Sequence, residues 1–515
     1  MAAFSAQDLR NLDAQAAAAR AQGEPDNPHS EALTALAEQM AGHTARPAYS
    51  PIVLAGFARL ADVSIVTLLG FVMHAFYLGR QSSLSPEYLF GIPAIAAATV
   101  VIFQSLQLYQ VQALRSPGRN GLRLIVGLAS VFAAALAAVF FLKLEGTFSR
   151  VWLLGWFLSS CGGLLLSRGI FYAVTRRLTR TGQLERRTVI VGGGPAGEEV
   201  LRMLGAQRDT DLRILGVFDD RTDDRSPDVV GGFPKLGRVD DLVEFARHTR
   251  LDLVIFTLPI SAEQRLLQML RKLWVLPIDI RLSAHSNKLR FRPRSYSYIG
   301  TVPVLDVFDK PIADWDVVLK SAFDRIVGGL ALIALSPVLL LTALAVKLDS
   351  RGPVFFKQKR YGFNNELIEI YKFRSMYVDT LDATASKLVT KGDPRVTRVG
   401  RFIRKTSLDE LPQLFNVVFK GNLSLVGPRP HAVHAKAENR DYDEVVDGYF
   451  ARHRVRPGIT GWAQIHGWRG ETDTEEKIQR RVEYDLYYIE NWSLLLDIYI
   501  LALTPFALLK TENAY

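Results

Sequence analysis

The sequence predicts a three-part architecture: a membrane α-helical bundle, a Rossmann-like α/β domain, and a mixed, mainly α-helical C-terminal domain entered through a re-entrant membrane helix. Three observations support it. Four apolar stretches of bilayer length follow one another within residues 51–175. A short β-branched run leading into a glycine-rich turn opens residues 186–300. A fifth apolar stretch, broken by a central proline, occupies residues 320–346 ahead of a polar region at 347–515.

The totals narrow the class. At 515 residues the chain exceeds one ordinary domain. Apolar residues make up 49% and the formal net charge is +10. There is no interleaved aromatic and basic motif and no zinc-finger spacing, so the excess reads as membrane-surface and phosphate-facing charge, with no nucleic acid partner. The single cysteine, Cys161, lies in an apolar run, which excludes an intrachain disulfide.

Residues 1–50 are polar and alanine-rich, without the apolar core of a cleavable signal, and read as a flexible cytoplasmic tail. The spans are placed at residues 53–78, 88–108, 122–142 and 151–173, each near the ~20 residues that cross a bilayer. Arg59 and Asp62 put the apolar start of the first nearer Leu60. Arg115, Arg119 and Arg123 lie around the second link, and Arg168, Arg176, Arg177, Arg180, Arg186 and Arg187 end the bundle. The other links hold only Arg80, and Lys143 with Arg150, so both ends of the bundle face the cytoplasm.

Strands are expected at residues 188–191, 212–218, 251–257 and 277–282, with a helix at 263–273 and another running from the glycine turn to Gln207. Such alternation predicts a parallel sheet. Gly192, Gly194 and Gly197 follow the first strand, and Asp219 lies where a ribose-binding acid would sit. These four are candidate nucleotide ligands; an empty structural or regulatory domain is the alternative.

In the fifth apolar stretch Ser336-Pro337 interrupts the helix. Lys320 and Arg325 precede it, and Lys347, Arg351, Lys357, Lys359 and Arg360 follow. Cations on both sides favour a helix that enters, breaks and returns over a kinked full span. The apolar run at 492–509, interrupted by Asp497 and Pro505, reads as an interfacial or packing helix.

Ser407-Leu408-Asp409-Glu410 fits a capping box at a helix start. The same geometry suits chemistry. A carboxylate at a helix N-terminus is held ionised, and an ionised carboxylate can attack phosphorus. Neighbouring helical residues diverge by about 100°, so one of Asp409 and Glu410 would attack while the other holds a divalent cation such as Mg²⁺. Candidate phosphate ligands are Gln358, Arg360, Lys372, Arg374, Arg429 and Arg456; the last two sit in the turns Gly427-Pro428-Arg429-Pro430 and Arg456-Pro457-Gly458.

These motifs, together with Pro353-Val354-Phe355-Phe356, Lys372-Phe373-Arg374-Ser375-Met376, Asp393-Pro394-Arg395-Val396-Thr397 and Ser424-Leu425-Val426, occur in one order. Residues 320–515 thereby resemble the bacterial sugar transferases known as monotopic polyprenol-phosphate phosphoglycosyl transferases. The whole chain resembles their large form. The stretch from Gly461-Trp462-Ala463-Gln464 to Glu471-Thr472 is similar to members called undecaprenyl-phosphate glucose phosphotransferases. One departure is Asn364-Asn365, where relatives often carry glycine; asparagine tolerates a left-handed conformation.

The resemblance implies a catalytic domain at 347–515 with a ping-pong reaction. Asp409 would attack a UDP-sugar, release UMP and carry the phosphosugar to undecaprenyl phosphate, opening exopolysaccharide or capsule synthesis. Glu410 would help hold Mg²⁺, and Lys372, Arg374 and Arg429 would lie near the phosphates. It also implies a multi-pass protein of the bacterial inner membrane, in contact with lipid, with its active site on the cytoplasmic face. The sugar, glucose or another hexose, stays open, as does oligomeric state, a homodimer included. Two rival classes are a membrane-bound nucleotide-sugar dehydratase or epimerase, and a non-enzymatic scaffold. The first needs a Tyr-x-x-x-Lys pair absent from residues 347–515; the second has no use for Asp409.

Overall fold

The computed structural model describes residues 37, 49–79, 85–141, 143, 148–207, 211–221, 227–258, 263–283, 297–299, 302–378, 393–431, 436–437, 440–441, 449–468 and 474–509. The expected tail, apart from residues 37, 49 and 50, lies outside them, as do Arg80 and Glu471-Thr472. The chain divides into two units, residues 46–185 and residues 1–45 with 186–515.

The first unit is helical: α1 (Pro51–Tyr77), α2 (Pro86–Ser105), the short α3 (Val111–Arg115), α4 (Pro117–Phe141) and α5 (Arg150–Arg180). Four helices are long and apolar enough to cross a membrane, among the described residues. Helix α1 starts at Pro51, where Ser50 Oγ accepts the Ile52 N–H at 3.2 Å, so Arg59 and Asp62 both lie within the helix. Asp62 is fully buried, with Oδ2 2.7 Å from Arg168 Nη2 and accepting a 2.9 Å hydrogen bond from the Tyr109 hydroxyl. Trp156 packs against α1 and donates from Nε1 to the Val66 carbonyl at 2.8 Å. Only glycine fits at position 70, where a Cβ would fall 2.7 Å from Ile92 and 2.9 Å from Trp156. Leu68, Phe76, Leu158 and Leu166 point outward, which gives the unit an apolar exterior.

The second unit opens with β1 (Arg186–Val191), α6 (Pro195–Gly205), β2 (Leu212–Phe218), β3 (Val229–Val230), β4 (Phe233–Gly237), α7 (Val239–His248), β5 (Leu253–Phe256), α8 (Glu263–Leu273), β6 (Asp279–Ser283), β7 (Ser297–Ile299) and β8 (Val302–Phe308). The strands form one sheet in the order β3-β4-β2-β1-β5-β6-β8-β7. It is mixed, not parallel as expected: β4-β2-β1-β5-β6 run parallel, while β3, β8 and β7 are antiparallel to their neighbours. The sheet also passes the expected boundary at residue 300. The unexpected strands β4 and β8 contain Pro234 and Pro303, which stand opposite Val229 of β3 and Tyr298 of β7. Apolar clusters cover both faces, one around Phe218, Phe245 and Leu273, the other around Val200, Leu204 and Ile255.

Then come α9 (Asp314–Ala334) and α10 (Ser336–Asp349), bent by 62° at their junction. Pro337 cannot donate to the preceding turn, and Ser336 Oγ instead donates to the Ile333 carbonyl at 2.7 Å. Ile333, Leu340, Leu341 and Leu348 are exposed along the pair. The hairpin β9 (Phe355–Tyr361) and β10 (Leu367–Phe373) turns through Asn364 and Asn365, both left-handed at φ 51° and 61°, as the sequence requires of residues standing in for glycine.

The remaining elements are α11 (Arg398–Lys405), a single 3₁₀ turn (Leu408–Glu410), α12 (Gln413–Phe415) running into a π turn (Asn416–Lys420), and β11 (Ser424–Val426). The small pair β12 (Lys436–Ala437) and β13 (Arg440–Asp441) follows, then a 3₁₀ segment (Tyr449–Arg454), β14 (Gly458–Thr460), α13 (Trp462–Ile465), α14 (Glu475–Glu490) and α15 (Leu494–Leu509). Asp497, the charge that interrupts the last apolar run, is buried against Lys320 Nζ at 2.6 Å and the Tyr488 hydroxyl at 2.7 Å. It docks α15 on α9.

Candidate active site

The site forms where β10, the Leu408–Glu410 turn and the loop after β11 converge. In the β9–β10 register Lys372 stands opposite Phe356 and Ile370 opposite Gln358, so these four share one face. The open edge of β10 is closed by Asn416, which accepts the Tyr371 N–H at 2.9 Å and donates to the Glu369 carbonyl at 2.7 Å. That bond pair brings the carboxylate turn against the strand.

Ser407 adopts a left-handed conformation at φ 59°, and its carbonyl accepts the Glu410 N–H at 3.2 Å. The expected capping box does not form: no cap hydrogen bond comes from the Ser407 side chain, and the helix it would start is one 3₁₀ turn. So short a turn has little macrodipole to hold Asp409 ionised. Burial instead pushes Asp409 up to about 6; Lys372, Arg404 and Arg429 pull it down and Glu410 pushes it further up. For Glu410 burial also acts upward, but Arg429 and Lys372 hold its carboxyl well below the usual range.

Contact geometry accounts for the split. Lys372 Nζ donates to Glu410 Oε1 at 2.9 Å, while Arg429 donates to Oε2 at 3.1 Å and Oε1 at 2.5 Å. Among the described residues Asp409 makes no comparable ion pair. Arg429 reaches Glu410 from the turn after β11, which pairs in parallel with β14. There two backbones touch, and a Cβ on Gly458 would fall 2.1 Å from the Gly427 nitrogen.

The other candidates go elsewhere. Arg374 is 1% exposed and its guanidinium donates to the carbonyls of Ser350 at 2.7 Å, Arg351 at 2.5 Å and Val346 at 3.3 Å. It closes the C-terminus of α10. Arg360 donates to Gln358 at 2.7 Å, pairing two expected ligands with each other. Arg456 is exposed, with the charges of Asp324 and Arg325 acting on it. Arg404, absent from the sequence-derived candidates, does reach Asp409 with its charge. Its signal is the i, i+3, i+6 spacing of Arg398, Arg401 and Arg404 on one helix.

In the sheet domain Gly192 has φ 108°, and a Cβ on Gly197 would meet the Gly192 carbonyl at 2.1 Å, so both glycines serve the tight strand-to-helix turn. Gly194 caps α6 through its backbone alone. Asp219 is buried and folds back: its carboxylate accepts the Gly193 N–H at 2.7 Å and the Arg221 N–H at 3.0 Å. It shapes the loop, where the motif spacing has it facing a ribose.

Among the described residues no three His, Cys, Asp or Glu side chains cluster as a metal cage. Glu410 fits Mg²⁺ only alongside a ligand that brings its own oxygens, since such sites use one or two carboxylates plus substrate phosphates.

The family model described as bacterial sugar transferase matches residues 315–511, and the one described as CoA-binding domain matches residues 104–284. The chain is 40% identical over 361 residues to the undecaprenyl-phosphate glucose phosphotransferase of Komagataeibacter xylinus, covering 68% of this chain and 64%, under two thirds, of that protein. It is 39% identical to a Klebsiella pneumoniae protein named UDP-glucose:undecaprenyl-phosphate glucose-1-phosphate transferase, covering 70% and 76%. A Xanthomonas campestris pv. campestris protein of the same name is 33% identical, covering 89% and 94%.

Proposed function

The chain belongs to the bacterial sugar transferase family, and on that premise we propose that it transfers hexose-1-phosphate from a UDP-sugar to undecaprenyl phosphate through an aspartyl-phosphosugar intermediate. Glucose-1-phosphate is the favoured group because the similar proteins are named for it. The reaction would be the first membrane step of exopolysaccharide or capsule synthesis, on the cytoplasmic face of the bacterial inner membrane.

The observation that carries this reading is the unequal treatment of two adjacent carboxylates. Glu410 is clamped by Lys372 and Arg429, whereas Asp409 is left with a basic oxygen. A carboxylate pushed up to about 6 is still ionised at neutral pH and is a better nucleophile than an ordinary one. An Asp409 oxygen attacks the sugar-bearing phosphorus of UDP-sugar. The bond from that phosphorus to the bridging oxygen breaks, and its electron pair leaves on UMP. An oxygen of undecaprenyl phosphate then attacks the same phosphorus and frees the Asp409 carboxylate. Lys372 and Arg429 lie where they can turn from Glu410 to diphosphate oxygens. Glu410 would hold Mg²⁺, which supplies charge neutralisation on the diphosphate when bound.

The 62° bend between α9 and α10, with cations flanking both ends, supports a re-entrant anchor. It would keep the site at the leaflet surface, where a soluble nucleotide sugar and a lipid phosphate meet. UDP-glucose labelled in the sugar should label the protein covalently and release UMP without acceptor lipid. Asp409→Ala should abolish the label; a label that survives that substitution rules out the mechanism.

A further inference from the structure

We infer that Arg452 is a positioning residue for this transfer: it fixes the main chain of Arg429 from behind and so sets the fork that Arg429 turns toward the carboxylate turn. The inference rests on the reading of Asp409 and Glu410 as the reactive pair. Arg452 is 1% exposed and belongs to the 3₁₀ segment Tyr449–Arg454. Its Nη2 donates to the Arg429 carbonyl at 2.7 Å and to Asp485 Oδ2 at 2.6 Å. Its Nη1 lies 2.6 Å from His431 Nδ1, which is also 2.8 Å from the Tyr449 hydroxyl.

One guanidinium thus holds the residues on both sides of Pro430, whose ring already limits the backbone there. Arg429 itself has a 26% exposed side chain, so its aim at Glu410 depends on how firmly its root is held. A buried ion pair adds little net stability over an apolar replacement. Its use here is geometric: Nη2 serves the Arg429 carbonyl and Asp485 while Nη1 meets His431, and the planar fork fixes these directions together. Asp485, on α14, completes the line from that helix through Arg452 and Arg429 to Glu410.

A double-mutant cycle tests this on the full chain in detergent, with UMP release from UDP-glucose and undecaprenyl phosphate as the assay. Arg452→Lys should keep the thermal unfolding midpoint near that of the parent and lose about tenfold to a hundredfold in kcat, the cost of a misplaced contact. In an Arg429→Lys background the same substitution should cost nothing further, because its effect passes through Arg429. Losses that multiply would overturn the inference. Should Arg452→Lys fail to fold, Asp485→Asn, which leaves Arg452 in place, enters the same cycle with the same two outcomes. Absence of UMP release by the parent protein would instead overturn the reading of the reaction itself.

Discussion

Arg429 holds Glu410 with both arms of its guanidinium, Nη1 to Oε2 at 3.1 Å and Nη2 to Oε1 at 2.5 Å. This relationship divides two chemically similar neighbours. One carboxylate is committed to cations, and the other keeps the proton affinity that burial confers.

The acid limb of the reaction should therefore report Asp409 alone. Covalent labelling by UDP-glucose, followed between pH 5 and 8, should fall on the acid side with a midpoint at about 6, since only the ionised form attacks. Arg429→Met removes a cation that lowers this group, so the midpoint should move up. No fall down to pH 5 would mean that burial does not raise Asp409 and that it titrates as an ordinary carboxylate.

Arg374 and Lys372 should separate stability from activity. Arg374→Met leaves the Val346, Ser350 and Arg351 carbonyls without their donor and should cost about 2–4 kcal/mol, seen as a lower thermal midpoint. Lys372→Met should leave the midpoint nearly unchanged while reducing UMP release by about a hundredfold. Equal loss of activity at full stability in Arg374→Met would make that residue a phosphate ligand after all.

Within the helical unit Asp62→Leu strands Arg168 without its counter-charge and should destabilise by about 3–5 kcal/mol. Asp62→Leu/Arg168→Leu removes both charges and should recover most of that loss. Thermal unfolding in one detergent compares the three proteins, and a double variant as unstable as the single one would refute the pairing argument.

His431 and His453 are buried beside Arg452, burial being the larger cause and the arginine the next, and both are held well below the usual imidazole range. The unfolded chain protonates them below about 6.5 while the folded one does not. Their contribution to stability is thus full above that pH and is lost as the pH falls toward the folded value. His431→Gln should flatten the decline of the unfolding midpoint between pH 7 and 5 relative to the parent protein. An unchanged slope would mean that the ring is not buried neutral.

Features that depend on neighbours in the chain are legible in the amino-acid sequence. Apolar length marks the four long helices, Ser336-Pro337 marks the bend, and the glycine turn after a β-branched run marks the start of the sheet. Asn364-Asn365 announces a left-handed turn. The motif order points to the family. Features that require a distant partner are not legible in this way. Asp62 reads as a polar boundary until the fold sets Arg168, 106 residues later, beside it. Strands β4 and β8 are absent from the expected strands and take their places by pairing with β2 and β6.

The sequence by itself determined the long apolar helices, the start of the sheet and the presence of an acidic pair among many cations. Tertiary structure alone decided which cation meets which carboxylate. Lys372 and Arg374 stand two residues apart, yet one reaches Glu410 and the other closes a helix end. Charge and spacing are properties of the chain, but electrostatic coupling falls off with distance through space, and only the fold sets that distance.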